Sequence, residues 1–162
     1  MRIRLPIALT VVVLATTPAM AQNRTQIDSV RNGQSCPGCN LFQADLSGLE
    51  RSNLNLNGAR LRQADLSLTV LNRARLSGAD LRDLNAFGAV MQGADFSQAD
   101  LTNASLVGAS LRSANWTGAK LEGANLSGSD LRGARGLSAS QISRACGDSS
   151  TQLPQGLNIS SC

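Results

Sequence analysis

The 162-residue sequence has no histidine and no tyrosine, and its aromatic residues are Phe42, Phe87, Phe96 and Trp116 alone. Without histidine the chain lacks the commonest general base and a major metal ligand. Without aromatics a conventional core lacks its bulkiest fillers, so burial has to come from many small side chains. No nucleophile motif, no phosphate-binding glycine loop after a strand and no metal-ligand cluster is present. These absences point away from an enzyme, and they leave no catalytic residue, cofactor or metal site to assign. Charge of one sign is also missing. The 15 basic and 11 acidic residues are mixed along the chain. Arg2 and Arg4 belong to the first residues, and without them 13 basic stand against 11 acidic, a net of +2. A near-neutral chain of mixed sign implies neither a nucleic-acid partner nor a membrane surface.

Long apolar runs are scarce too. Leu5 to Ala15 is mostly apolar but too short to span a bilayer. With Arg2 and Arg4 before it and Ala19-Met20-Ala21 after it, residues 1 to 21 read as a secretory signal cleaved after Ala21. The mature chain is then expected in the periplasm or outside the cell, beginning at Gln22, with no membrane attachment after cleavage. Residues 22 to 38 form a polar lead-in, in which Ile27 and Val30 are spaced for a short helical turn packed over the segment that begins at Cys39.

What the chain does have is a period of five. From Cys39 to Gly133 it divides into 19 blocks of five residues without an insertion or deletion, such as ADLSG, ARLRQ, ASLVG and ANLSG. The third position is Leu, Met, Phe or Trp in 17 of the 19 blocks, and the first is Ala in 13. Five is not the helical 3.6 and, being odd, is not plain strand alternation. Residues two apart on an extended segment point the same way. Positions one and three therefore face inward, and positions two, four and five face out. Gly at the fifth position in 10 of 19 blocks marks a sharp corner. One block buries nothing alone, whereas stacked coils can.

The motif A-(D/N)-L-x-x, repeated in phase over 95 residues, resembles the pentapeptide-repeat family. The resemblance implies an all-β fold: a right-handed parallel β-helix of square cross-section, four blocks to a coil. Coils of 20 residues spaced by ~4.8 Å would make a rod roughly 23 Å long. Two blocks strain the pattern. Leu84-Asn85-Ala86 swaps large and small core residues, which a core tolerates. Leu49-Glu50-Arg51 puts an arginine in the large slot, and a buried unpaired Arg is costly. Arg51 is expected to turn outward or pair locally with Glu50.

Cys36, Cys39, Cys146 and Cys162 form an even set in an exported chain, as two disulfides would require. With one pair at each end of the rod, Cα atoms within ~7 Å are available only for Cys36–Cys39 and Cys146–Cys162. Cys36-Pro37-Gly38-Cys39 also has thiol–disulfide exchange spacing, which supplies an alternative reading as a periplasmic redox protein. After Gly133 the phase fails. Residues 134 to 162 are expected to form a cap: Ser138 and Gln141 make a capping box, Leu137 can staple on Ile142, and Gly147 suits the position past the helix end. The tail would be pinned by Cys162.

Folded at 20 residues per coil, the outward positions are polar with five exceptions. Phe87 and Val107 stack on the second face, Val70 and Val90 on the third, and Leu68 lies at the corner between them. These five residues form the candidate interaction patch. Together these features read as an exported, non-enzymatic structural or protein-interaction module, with a protein partner or a second copy on that edge. Some members of the family resembled here mimic duplex DNA and inhibit topoisomerases. That role calls for a strongly acidic rod and a cytoplasmic target, which the charge and the secretory signal do not fit.

Overall fold

A computed structural model describes residues 22–162, so the expected signal segment lies outside the described residues. The chain winds into stacked coils with parallel pairing between residues 20 apart. The ladder runs Asn40↔Arg60↔Asp80↔Asp100↔Lys120 on one face, and the other three faces repeat it. Leu41 N–H donates to the Arg60 carbonyl at 2.8 Å, and Arg60 N–H donates back to the Cys39 carbonyl at 2.8 Å. The first- and third-position side chains close into one core. Leu61, Leu81, Leu101 and Leu111 are fully buried, as are Ala59, Ala89 and Ala99. Each such leucine contributes about 1.5–3 kcal/mol by burial. Leu56, Leu76, Phe96 and Trp116 share one column, where the two rings stack with centroids 4.6 Å apart.

The corners explain the remaining letters of the motif. The third residue's carbonyl accepts from the N–H of the next block's first residue, as in Ala44 to Leu41 at 3.0 Å. The fifth residue has positive φ in every block, from Gln43 at 53° to Gly133 at 71°. A closed four-residue turn with positive φ only at its third residue is a type II turn, which favours Gly there. Asp or Asn at the second position then accepts from the N–H two residues on, as Asp65 does from Ser67 at 2.8 Å and Asn125 from Ser127 at 2.9 Å. This local bond is why short polar side chains with an acceptor oxygen recur at that position. Where Thr69 and Ser129 replace Ala, their hydroxyls donate to the Leu66 and Leu126 carbonyls and stay satisfied in the core.

Both ends differ from the boundaries that the five-residue phase suggests. Gln34-Ser35-Cys36-Pro37-Gly38 is itself a coil block. Cys36 N–H donates to the Asn55 carbonyl at 2.9 Å, Gly38 N–H donates to the Asn57 carbonyl at 2.8 Å, and Gly38 has φ 71°. Cysteine in the large slot hides the block, although Pro-Gly is the sequence signature of its type II turn. Ahead of it, helix α1 (Arg24–Arg31) is capped by Asn23 and buries Ile27 and Val30 in the core. Past Gly133 the ladder continues to Arg135, then resumes at Cys146 and Gln152, which pair with Asn125 and Asp130.

The insertion between those points carries helix α2 (Ala139–Ile142), with the Ser138–Gln141 capping box in place. The helix is shorter than the sequence suggests. Gly147 is not its terminator but lies buried in strand β1 (Cys146–Gly147), parallel to strand β2 (Ser160–Ser161). The chain has to leave the helix early because Cys146 is committed to the Asn125 ladder.

Arg51 turns outward, and its guanidinium donates to the Glu50 carbonyl at 2.7 Å. It pairs with the backbone of Glu50 rather than with its carboxylate. Its column position lies in the first full coil, beside the α1 end, so no deeper coil has to accommodate the charge. Among the described residues, the turn from Arg51 to Leu54 is also the one repeat turn without its closing hydrogen bond.

Candidate functional site

The five apolar outward residues come together along one edge of the rod. Leu68 N–H donates to the Phe87 carbonyl at 2.8 Å, and Gly88 N–H to the Val107 carbonyl at 2.9 Å, which stacks three successive coils of the second face. Val70 and Val90 pair directly on the third face. Leu68 is 63% exposed and Phe87 53%, and the three valines are half-buried. The Leu68 side chain lies over Gly88, where a Cβ would stand 3.0 Å from a Leu68 methyl carbon. Leu68 also holds φ at 56°. A leucine in left-handed backbone is strained by roughly 1–2 kcal/mol, at a corner where the other coils place Gly48, Gly88, Gly108 and Gly128. The C-terminal tail does not cover the edge. Its bonds to the rod go to residues 125 to 131 of the last coil.

Beyond Val70 and Val90 the third face continues into a groove of about 450 Å³ lined by Ser52, Asn72, Arg73, Gln92, Gly93, Arg112 and Ser113. Its floor is tied together: Gln92 N–H donates to Asn72 Oδ1 at 2.9 Å, and Gln92 Nε2 donates to Ser110 Oγ at 3.1 Å. Its cations are not. The Arg73 guanidinium has no ion pair or hydrogen bond among the described residues. Arg112 comes only within 3.9 Å of Asp130 Oδ2. Arg132 already grips that carboxylate at 2.7 and 2.9 Å, and its hydrogen bonds hold the Asp130 pKa below the usual carboxylate range. The five-residue pattern does not single out Arg73 or Arg112. Sorting the fourth- and fifth-position residues of the third face brings them together, because Gly93 leaves the corner column open between Arg73 and Ser113.

Cys36 is joined to Cys39 and Cys146 to Cys162. Cys36 and Cys39 occupy the third position of one block and the first of the next, across a single corner, with Cα atoms 5.5 Å apart. Cys39 is buried. The pair staples a turn, and neither cysteine stands at a helix N-terminus of the kind that activates an exchange thiol. Among the described residues no group of His, Cys, Asp or Glu could hold a metal ion, and no helix is long and apolar enough to cross a membrane.

The family model described as pentapeptide repeats, in eight copies, matches residues 39–83, 81–115 and 103–135, more than half of the chain. The chain belongs to the pentapeptide-repeat family. Members of this family are generally structural or interaction modules. Among solved structures, the chain is similar to a pentapeptide-repeat protein from the Arabidopsis thaliana thylakoid lumen. That match is 32% identical over 63% of this chain and 63% of that one, with a TM-score of 0.33. A pentapeptide-repeat protein from Nostoc PCC 7120 is 31% identical over 85% and 88% of the two chains, with a TM-score of 0.34. Rfr23 from Cyanothece 51142 is 26% identical over 80% and 98%, with a TM-score of 0.34. No curated protein matches the chain.

Proposed function

We propose that this pentapeptide-repeat protein is an exported, non-enzymatic interaction module that docks a partner protein on the edge formed by Leu68, Val70, Phe87, Val90 and Val107. The observation that carries the reading is Leu68 itself, an aliphatic side chain 63% exposed on left-handed backbone, stacked beside the 53% exposed Phe87. Strain and exposed apolar surface both cost free energy in the isolated molecule, and a bound partner recovers the second. Export rests on the charged and apolar segments of residues 1 to 21 and on four cysteines that all pair.

The test is Phe87→Ser together with Val90→Ser, followed by sedimentation and by pull-down with the tagged protein from its own envelope fraction. Neither side chain belongs to the inward columns, so stability should change by less than about 1 kcal/mol. The expected outcome is loss of the captured partner. Loss of a dimer instead would make the occupant a second copy. Unchanged partners and unchanged oligomeric state would remove the edge as an interface.

A further inference from the structure

We infer that the occupant of this edge is a protein segment combining apolar side chains with a carboxylate, the apolar part on Leu68 and Phe87 and the carboxylate in the groove between Arg73 and Arg112. The inference rests on the docking reading above and adds the partner's chemistry. Val70 and Val90 lie on the third face between the Leu68 corner and the groove. Each is followed within its own block by a groove residue pair: Asn72 and Arg73 after Val70, Gln92 and Gly93 after Val90. The apolar edge and the groove are therefore one continuous surface on adjacent coils, not two separate patches.

The groove has the features that an incoming carboxylate needs. The Arg73 stem packs over Gly93, where a Cβ would meet its Cγ at 3.5 Å, so the side chain is supported while its guanidinium stays unpaired among the described residues. Arg112 faces the same space, and its one acidic neighbour is already held at shorter range by Arg132. Guanidinium groups match carboxylates through two parallel N–H donors. Asn72 Oδ1 accepts from the Gln92 backbone N–H and Gln92 Nε2 donates to Ser110 Oγ, so the charged donors that line the groove are the two arginines. Two cations beside an apolar edge suit one acidic side chain, or two, within a peptide. A polynucleotide would instead need a run of cations tracking its phosphates, and the next fourth-position arginine, Arg132, is spent on Asp130. A carboxylate held between the two guanidiniums also gives register, since a slip by one residue would place an apolar side chain among them.

A random twelve-residue peptide library, panned against the purified protein, tests this without presuming a partner. Enriched sequences should carry Asp or Glu within a few residues of Phe, Leu, Ile or Trp. Synthesised copies should lose affinity on the order of tenfold on the Arg73→Gln, Arg112→Gln double variant, and also in high salt. They should lose a comparable factor on Leu68→Ser with Phe87→Ser. Unchanged Trp116 emission in both variants shows that the rod is intact. Enrichment of apolar peptides indifferent to the arginine variant would overturn the inference and leave the docking edge standing. Acidic peptides indifferent to the Leu68 and Phe87 variant would overturn both the shared occupant and the edge. Absence of enrichment over a rod carrying all four substitutions would overturn both as well.

Discussion

The two ends of the rod solve one problem in different ways. An open coil presents N–H and C=O groups with no next coil to meet them. At the N-terminal end the repeat stays in phase, and side chains stand in for the missing turn. Gln26 Oε1 accepts from the Asn40 N–H at 2.8 Å, Ser35 Oγ accepts from the Asn55 N–H at 3.0 Å, and Arg31 Nε donates to the Asp45 carbonyl at 2.9 Å. At the C-terminal end the phase is broken by inserted residues, and the stand-ins come from a loop. Asp148 accepts from the Gly128 N–H at 3.0 Å, where interior coils use a backbone carbonyl. Thr151 donates to the Leu126 carbonyl at 3.1 Å, and Gln141 Nε2 bridges the Trp116 and Ala119 carbonyls at 2.8 and 2.9 Å. An end that keeps the period needs only a short staple. One that abandons it needs its loop tied down.

The largest expected difference lies in the disulfides. Cys146–Cys162 closes a sequence separation of 16, and Cys36–Cys39 a separation of three. Loop-closure entropy assigns about 3 kcal/mol to the first and about 2 kcal/mol to the second. The variant Cys146→Ser with Cys162→Ser should therefore melt lower than Cys36→Ser with Cys39→Ser. The two should also differ in kind. Trp116 is fully buried and sits under α2 through the Gln141 bridge. Its blue-shifted emission should move to the red early in melting of the C-terminal variant and only with global unfolding of the N-terminal one. Equal effects on Trp116 would mean that the ends do not unfold separately.

Gly136 sharpens the contrast at smaller amplitude. Its φ is 67°, and a Cβ there would stand 2.9 Å from the Thr117 backbone nitrogen and Cα. Gly136→Ala should cost on the order of 1–3 kcal/mol and loosen only the α2 cap. The readout is again Trp116, with faster hydrogen exchange in residues 137 to 145. Retained protection there would show that the close approach is not a constraint.

The smallest effect is acid. Bonds from Ser150 first, then from the Gly128 N–H, hold the Asp148 pKa down to about 2 from its ordinary 3.8. A depressed carboxyl stabilises above its unfolded pKa, and the contribution is lost as pH falls through the folded one. Between about pH 4 and pH 2 the C-terminal loop should loosen, whereas α1 loses only the Arg31–Asp45 pair, whose carboxyl is also lowered, first by Ser47, and keeps its Gln26 and Asn23 amide bonds. Asp148→Ala should remove the loop's share of this acid sensitivity, as read by exchange at Gly128. Identical acid profiles for the two proteins would show that the carboxylate is not the stand-in.

Much of this molecule is set by local chemistry and so is legible in sequence. A large and a small apolar residue two apart, an Asx side chain to start each turn and a left-handed corner fix the block, and identical blocks can only stack. The inward columns, the burial of Trp116 and the outward placement of Leu68 and Phe87 come from that period, while the 20-residue pairing that gathers the apolar edge is what the family resemblance implies. What the period could not show depends on contacts between coils. Cys36 reads as a disulfide partner within the lead-in, and as a coil residue only once the Asn55 carbonyl accepts its N–H. The end of α2 is decided by the return of Cys146 to the Asn125 ladder, which no helix signal reports. Arg73 and Arg112 are 39 residues apart and become neighbours only because the coil closes at 20 and Gly93 leaves the space between them empty. Bonds within a block are written into its five letters, whereas bonds across a missing or irregular coil belong to whichever side chain the closed rod brings within reach.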